Sequence, residues 1–70
     1  MPIENSKFRR GFLYPRDIQI ITGKSYSAAR RLIQKIRILF GKESHELISI
    51  HEFSLYTGMA EEMVYRLLKE

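Results

Sequence analysis

The chain contains no cysteine, no tryptophan and no long hydrophobic run within its 70 residues. Without cysteine it can form neither a disulfide nor a thiolate metal site. No apolar run approaches the roughly 20 residues of a membrane span, and no apolar signal core precedes Arg9, so we expect no membrane partner. These absences favour a cytoplasmic location, and the length predicts one domain with a thin core.

Positive charge is concentrated in the first part of the chain. Residues 1–42 carry ten Lys and Arg against two acidic residues, which gives +8, whereas residues 43–70 carry two against six, which gives −4. The sequence pI is near 9.7. A coherent positive field of this kind favours a polyanion as partner. The alternative is that these basic side chains only face solvent.

A repeat with an offset of 35 residues organises the sequence. The segment DIQIITG at 17–23 aligns with EFSLYTG at 52–58, and the alignment continues to residues 33 and 68. Each copy has the pattern of a helix, a turn at Thr-Gly and a second helix. The sequence therefore predicts an all-α fold of four helices, in which two tandem helix-turn-helix units are related by internal pseudo-symmetry.

Capping and turn residues predict where the helices begin and end. Pro15 suits a first helical position, and Gly23 suits a left-handed stop. Ser25 is a candidate N-cap for the second helix, while Ser49 and Glu52 have capping-box spacing before the third. The predicted helices span residues 15–22, 25–40, 50–57 and 60–69. Their predicted inner positions are Ala28, Ala29, Leu32, Ile33, Ile36, Leu39, Phe40, Met63, Val64 and Leu67.

The predicted domain has three parts. Residues 1–10 form a flexible basic arm, residues 13–41 the first unit and residues 47–70 the second. Short extended segments at 12–13 and 47–48 are candidates for a minimal two-stranded clip between the units.

The helix at 25–40 presents basic and hydrogen-bonding side chains opposite its apolar arc. In helix-turn-helix proteins the second helix enters the major groove with its N-terminal half. Arginine can bind guanine with two hydrogen bonds, glutamine can bind adenine in the same way, and basic side chains contact phosphates. We therefore expect double-stranded DNA as partner, with bases contacted by Tyr26, Ser27, Arg30 and Gln34. The phosphates are expected to be contacted by Lys24, Arg31, Arg37 and the basic arm. The full set of candidate DNA-binding residues is Lys24, Ser25, Tyr26, Ser27, Arg30, Arg31, Gln34, Arg37, Arg9 and Arg10.

Residues 13–33, LYPRDIQIITGKSYSAARRLI, resemble the helix-turn-helix of the excisionase and MerR-like families. The matching positions are Asp17, Ile18, Gly23, Ser25, Arg31 and Leu32. Thr22 and Thr57 depart from the usual leucine of the turn, and no clear two-stranded wing follows helix two. The resemblance implies DNA binding, as a small transcriptional regulator or an excisionase-like architectural factor, and it does not indicate which site is bound.

The second unit differs from the first in charge. Glu61 and Glu62 stand where the first unit has Tyr26 and Ser27, and two carboxylates there would repel phosphate. They suit the positive end of a helix instead. A rival hypothesis is a protein-interaction adaptor or a homodimer, acting through the acidic C-terminal half. It is motivated by Ile38 and by three candidate partner-facing residues for which core packing is the alternative, Met59, Met63 and Tyr65. RNA binding through the basic face is a third alternative.

No cofactor, metal or catalytic site is predicted. Gly23, Lys24 and Ser25 imitate the end of a phosphate-binding loop, but Ile18 stands where that loop requires glycine. The two histidines are six residues apart with no cysteine near them, and no nucleophile-base arrangement is apparent. We expect a protein that is not an enzyme.

Overall fold

The computed structural model describes residues 11–69. Its elements in chain order are strand β1 (Phe12–Leu13), helix α1 (Pro15–Thr22), helix α2 (Tyr26–Leu39), strand β2 (Ile48–Ser49), helix α3 (Ile50–Thr57) and helix α4 (Glu61–Leu68). The fold is mostly helical but not purely all-α, because the two-stranded clip is formed. The predicted arm at 1–10, with Arg9 and Arg10, lies outside the described residues. No described helix is long and apolar enough to cross a bilayer.

The two strands pair in antiparallel register, with Leu13 opposite Ile48 and Phe12 opposite Ser49. The second strand lies one residue later than the predicted 47–48. The reason is burial, since Leu13 and Ile48 share the inner face of the pair and are 1% and 0% exposed. Ser49 remains extended, at φ −90° and ψ 161°, so it ends the strand and caps the next helix.

Leu13 and Ile48 are also equivalent in the sequence repeat, because they are 35 residues apart. An antiparallel pair in which equivalent residues face each other has an approximate two-fold axis between them. The predicted pseudo-symmetry would relate the first helix pair (α1 and α2) to the second helix pair (α3 and α4) about this axis. Packing across it connects α1 with α4 and α2 with α3. That each pair is a DNA-binding helix-turn-helix unit stays a prediction.

The two turns have the same hydrogen bonds. Gly23 and Gly58 both have positive φ, 76° and 81°, a conformation that favours glycine over any residue with a Cβ. The hydroxyls of Thr22 and Thr57 donate to the carbonyl four residues earlier, at 2.6 and 2.8 Å. Each threonine oxygen also accepts the backbone N–H two residues later, at 3.1 Å in both turns. The repeat therefore specifies the same turn twice.

Three of the four helix starts bind an acidic or hydroxyl side chain. The Tyr14 N–H donates to Asp17 Oδ2 at 2.7 Å. The Ser49 N–H donates to Glu52 Oε1 at 2.8 Å, and the Glu52 N–H donates to Ser49 Oγ at 3.0 Å, which confirms the predicted capping box. Ser25 is confirmed as the N-cap of α2, because its Oγ accepts the N–H three residues later.

One core is shared by both helix pairs and the strands. Its buried members are Leu13, Ile18, Ala29, Ile33, Ile36, Ile48, Ile50, Phe53 and Val64. Three side chains predicted to lie inside are exposed instead: Leu39 by 62%, Met63 by 43% and Leu67 by 38%. Leu39 lies roughly 90° around α2 from the buried line. In α4 the half-buried Tyr65 packs against the core, which turns Met63 and Leu67 towards the rim.

Candidate nucleic-acid interface

Burial fixes the orientation of α2. Ala29, Ile33 and Ile36 are buried and form one line along the helix. At about 100° per residue, the opposite side of the helix is its exposed centre. The exposed side chains there are Ser27, Arg31, Gln34 and Ile38. Tyr26 and Arg30 lie at the edge of this face, on the side that lines a cleft with Pro15 and Ser44.

The candidate residues on α2 and its approach are accessible. Seven of them are exposed: Lys24, Ser25, Tyr26, Ser27, Arg30, Arg31 and Gln34. Arg37 is half-buried. The second half of the chain packs on the buried side of α2, through β2 and α3, and leaves Arg30 and Gln34 uncovered. The predicted face is therefore free to meet another molecule.

The basic side chains of this face are not paired with acidic side chains of the described residues. Across residues 11–69, no carboxylate lies within ion-pair distance of Lys24, Arg30 or Arg31. Two acidic groups of the second half do have partners, since Glu52 lies 3.2 Å from Lys42 and Glu61 lies 2.7 Å from His51. Lys24, Arg30 and Arg31 therefore keep a positive charge with no acidic partner in this part of the chain.

Arg30 and Tyr26 contact each other across one turn of α2. The guanidinium carbon lies 5.9 Å from the centre of the Tyr26 ring. This is at the outer limit of a cation–π contact, which contributes about 0.5–1 kcal/mol at an exposed site. The contact favours a position of Arg30 beside the start of α2.

Arg37 has a structural contact that the sequence did not indicate. Its Nε donates to the backbone oxygen of Glu46 at 2.7 Å, which ties the end of α2 to the loop before β2. Beside it, an open cleft of about 370 Å³ lies between the start of α1, the edge of α2 and this loop. Pro15 and Ser44 line the cleft together with the two arginines. Ser44 lies in a polar loop without periodicity, so no signal in the sequence identified it.

The corresponding surface of the second helix pair is different. Glu61 and Glu62 are exposed in the first turn of α4, and Glu61 Oε2 lies 2.7 Å from His51 Nδ1 on α3. Met59 and Tyr65, which were candidates for a partner surface, pack against the core. Only Met63 of that group is exposed.

No group of three or more histidine and acidic side chains within 11–69 is placed to hold a metal ion. Comparison of the chain with protein-family models, with curated proteins and with solved structures finds no match. The resemblance to the excisionase and MerR-like families therefore stays an interpretation of residues 13–33.

Proposed function

We propose that the protein binds double-stranded DNA, with the exposed face of α2 in the major groove. One observation carries this proposal: Lys24, Arg30 and Arg31 are exposed on one helix pair with no carboxylate partner within residues 11–69. DNA carries one negative charge per about 1.7 Å of its axis. A cationic helix about 21 Å long gains affinity by releasing the counterions condensed on it.

The orientation of α2 suggests which side chains reach the bases. Ser27, Arg31 and Gln34 lie at the centre of the exposed face, so we assign base contact to these three. This moves Arg31 from the phosphate contacts expected from the sequence to the base contacts. Lys24, just before α2, remains a phosphate contact because it lies at the helix start.

The second helix pair serves as a comparison within the same molecule. Glu61 and Glu62 are exposed in the first turn of α4, where α2 has Tyr26 and Ser27. Carboxylates at that position oppose the approach of phosphate. We therefore assign DNA contact to the first pair and a supporting role to the second.

The test compares two arginines at equivalent positions of the repeat. Arg31 and Arg66 are both exposed and 35 residues apart, and alanine at either position removes the same charge. A preferred duplex is first selected from a random pool, and binding is then measured by fluorescence anisotropy. We expect Arg31→Ala to lose about 1–3 kcal/mol on the preferred duplex and to relax its selectivity. Arg66→Ala should change the affinity by less than twofold.

The salt dependence of the same binding supplies a second readout. Each phosphate contact should contribute about −0.9 to the slope of log affinity against log salt. An affinity that does not change with salt, or an equal loss in the two variants, would contradict the proposal.

Exposed apolar residues favour a second candidate function, a protein-interaction adaptor. Ile38 and Leu39 are 74% and 62% exposed at the end of α2, and Leu55 is 60% exposed on α3 in the acidic half. Adjacent exposed apolar side chains are typical of contact surfaces. Sedimentation with and without random duplex separates the two functions. Self-association that Ile38→Lys abolishes, without any duplex binding, would favour the adaptor.

A further inference from the structure

The cleft of about 370 Å³ beside α2 is lined largely by basic and hydroxyl-bearing side chains. Its walls are Pro15, Tyr26, Arg30, Ile33, Arg37 and Ser44. Two guanidinium groups, a phenol and a hydroxyl can donate hydrogen bonds into it, and none of these side chains carries a negative charge. The cleft is therefore lined by hydrogen-bond donors together with two apolar side chains.

Arg37 binds a backbone oxygen that has no hydrogen-bond donor from the neighbouring strand. In the sheet, the Ile50 N–H donates to the Gly11 oxygen at 2.8 Å. The equivalent bond, by the 35-residue offset, would run from residue 15 to the oxygen of Glu46. Pro15 has no N–H, so that oxygen is left without a ladder donor. Arg37 Nε takes the place of the missing donor at 2.7 Å.

This contact leaves most of the guanidinium available. Arginine has five N–H donors, and the bond to Glu46 uses the one on Nε. The four donors on the terminal nitrogens remain, on a side chain whose orientation is already restricted. A restricted donor loses less conformational entropy on binding than a free one.

Arg30 lies on the same edge of α2, seven residues before Arg37. Seven residues are about two turns, or roughly 10 Å along the axis, so both side chains extend from one side of the helix. The Tyr26 ring lies 5.9 Å from the Arg30 guanidinium and limits its movement. Two cations that line one cleft without a carboxylate repel each other, and an anion between them removes that repulsion.

The second helix pair shows that the repeated backbone does not by itself produce such a cleft. The positions equivalent to Tyr26 and Arg30 are Glu61 and Tyr65. Glu61 contacts His51 at 2.7 Å, and Tyr65 packs against the core. The cationic lining is thus particular to the first pair.

We propose that this cleft binds a phosphate group, held by Arg30, Arg37 and the Ser44 hydroxyl. Planar guanidinium groups bind phosphate with paired hydrogen bonds, which makes arginine the side chain best suited to it. Where the group belongs to the DNA backbone, this inference rests on the proposed function. It then makes Arg30 a positioning residue and not a reader of bases. The other source is a free phosphate in solution.

The test uses Arg30→Gln, since Arg30 is exposed and its replacement leaves the core intact. Arg66→Gln on α4 is the control with the same charge change. For a backbone phosphate, Arg30→Gln should weaken binding roughly tenfold on the preferred duplex and by the same factor on random duplex. The salt slope should flatten by about 0.9, and Arg66→Gln should change neither quantity.

Titration with inorganic phosphate, followed by the amide resonance of Ser44, tests the cleft without DNA. We expect a saturable shift in the wild type and in Arg66→Gln, and its loss in Arg30→Gln. A shift in a protein that binds no duplex supports a free phosphate as ligand, although the proposed function then fails. Duplex binding that Arg30→Gln weakens only on the preferred sequence, with no Ser44 shift, overturns the cleft proposal and leaves the DNA proposal standing.

Arg37→Lys is a second variant, because it keeps the charge and loses the planar donor group. Its fold is checked by thermal unfolding, since the bond to Glu46 also ties α2 to the following loop. In the folded variant we expect weaker phosphate binding than in the wild type. Unchanged phosphate binding in this variant would contradict the role of Arg37.

Discussion

The first helix pair and the second have the same turns but differ in the charge of their surfaces. Gly23 and Gly58 differ by 5° in φ, and the two turn threonines make the same bonds. At the start of the second helix of each pair, however, Tyr26 is replaced by Glu61. The residues that fix the backbone are therefore repeated, and those that fix the surface are not.

This difference separates two kinds of sequence information. A turn needs a residue that tolerates positive φ and a hydroxyl that binds the nearby backbone, and both requirements are local. A binding face needs only exposure, so its residues can differ between copies without loss of the fold. The difference in charge between the two helix pairs is therefore not required by the turn that they share.

Substitutions of the two facing strand residues should have the largest effect. They test whether the two helix pairs contribute equally to stability. Leu13 and Ile48 face each other and are 1% and 0% exposed. We expect Leu13→Ala and Ile48→Ala each to lower the free energy of unfolding by about 2–5 kcal/mol, because each leaves a cavity in a thin core. Urea denaturation measures both values, which should agree within about 1 kcal/mol.

Two exposed residues provide the matched control. Ile20 and Leu55 are also 35 residues apart, on α1 and α3, and are 52% and 60% exposed. Their alanine variants should stay within about 0.5 kcal/mol of the wild type. If Leu13→Ala were costly and Ile48→Ala neutral, the two strands would not form an equivalent pair. Should both alanine variants fail to fold, Ile48→Val should still show a cost of about 0.5–1.5 kcal/mol.

Local signals predicted most of the helical framework. The bounds of α1 and α3 follow from Pro15, Gly23, the Ser49–Glu52 capping box and Gly58, each of which acts on a backbone within four residues of itself. The N-cap at Ser25 was predicted for the same reason. These features depend on sequence neighbours, so they can be read without knowing the packing.

Features that depend on packing between elements were harder to predict from the sequence. The second strand lies one residue later than predicted, because the buried pairing of Leu13 with Ile48 decides its position. The cleft unites Pro15 with Ser44, which are far apart in the chain, and the contact of His51 with Glu61 joins two helices. No periodicity within one element contains this information. The binding function itself stays a prediction from charge and exposure.

A smaller effect should come from the start of the second helix of each pair, where the two pairs differ in capping. Ser25 caps α2 through its hydroxyl, whereas Ala60, at the equivalent position before α4, has no side chain to do so. Ala60 is already extended, at φ −63° and ψ 142°, as an N-cap requires. We expect Ala60→Ser to stabilise the protein by about 0.5–1 kcal/mol, and Ser25→Ala to destabilise it by a similar amount.

Chemical denaturation of the two single variants and of the double variant measures these values. The effects should add in the double variant, because the two caps serve different helices. A destabilising Ala60→Ser would show that the first turn of α4 is organised differently from that of α2. Ala60→Val is a suitable control for α4, since valine, like alanine, is a poor N-cap and adds no hydroxyl.

The smallest effect concerns pH and the Glu52 carboxylate. Burial by itself raises the pKa of Glu52, but hydrogen bonds from the Ser49 N–H and from Lys42 outweigh it, so the pKa is lowered from its ordinary value of 4.5. A lowered folded pKa means that the ionised group stabilises the fold above the unfolded pKa. That contribution is lost as the pH falls through the folded pKa. It should amount to about 1 kcal/mol or less, because both side chains are partly exposed.

Glu52→Gln isolates the charge, because glutamine can still complete the capping box. We expect the wild type to be the more stable near neutral pH, and the difference to shrink as the pH falls below about 4.5. Urea denaturation between about pH 7 and pH 3 measures it, and Lys42→Met should reduce the same difference by removing the cation. A difference that stays constant over this range would mean that Glu52 acts only through its neutral hydrogen bonds. The contact of Lys42 with Glu52, which connects the end of α2 with the start of α3, would then not stabilise the fold through charge.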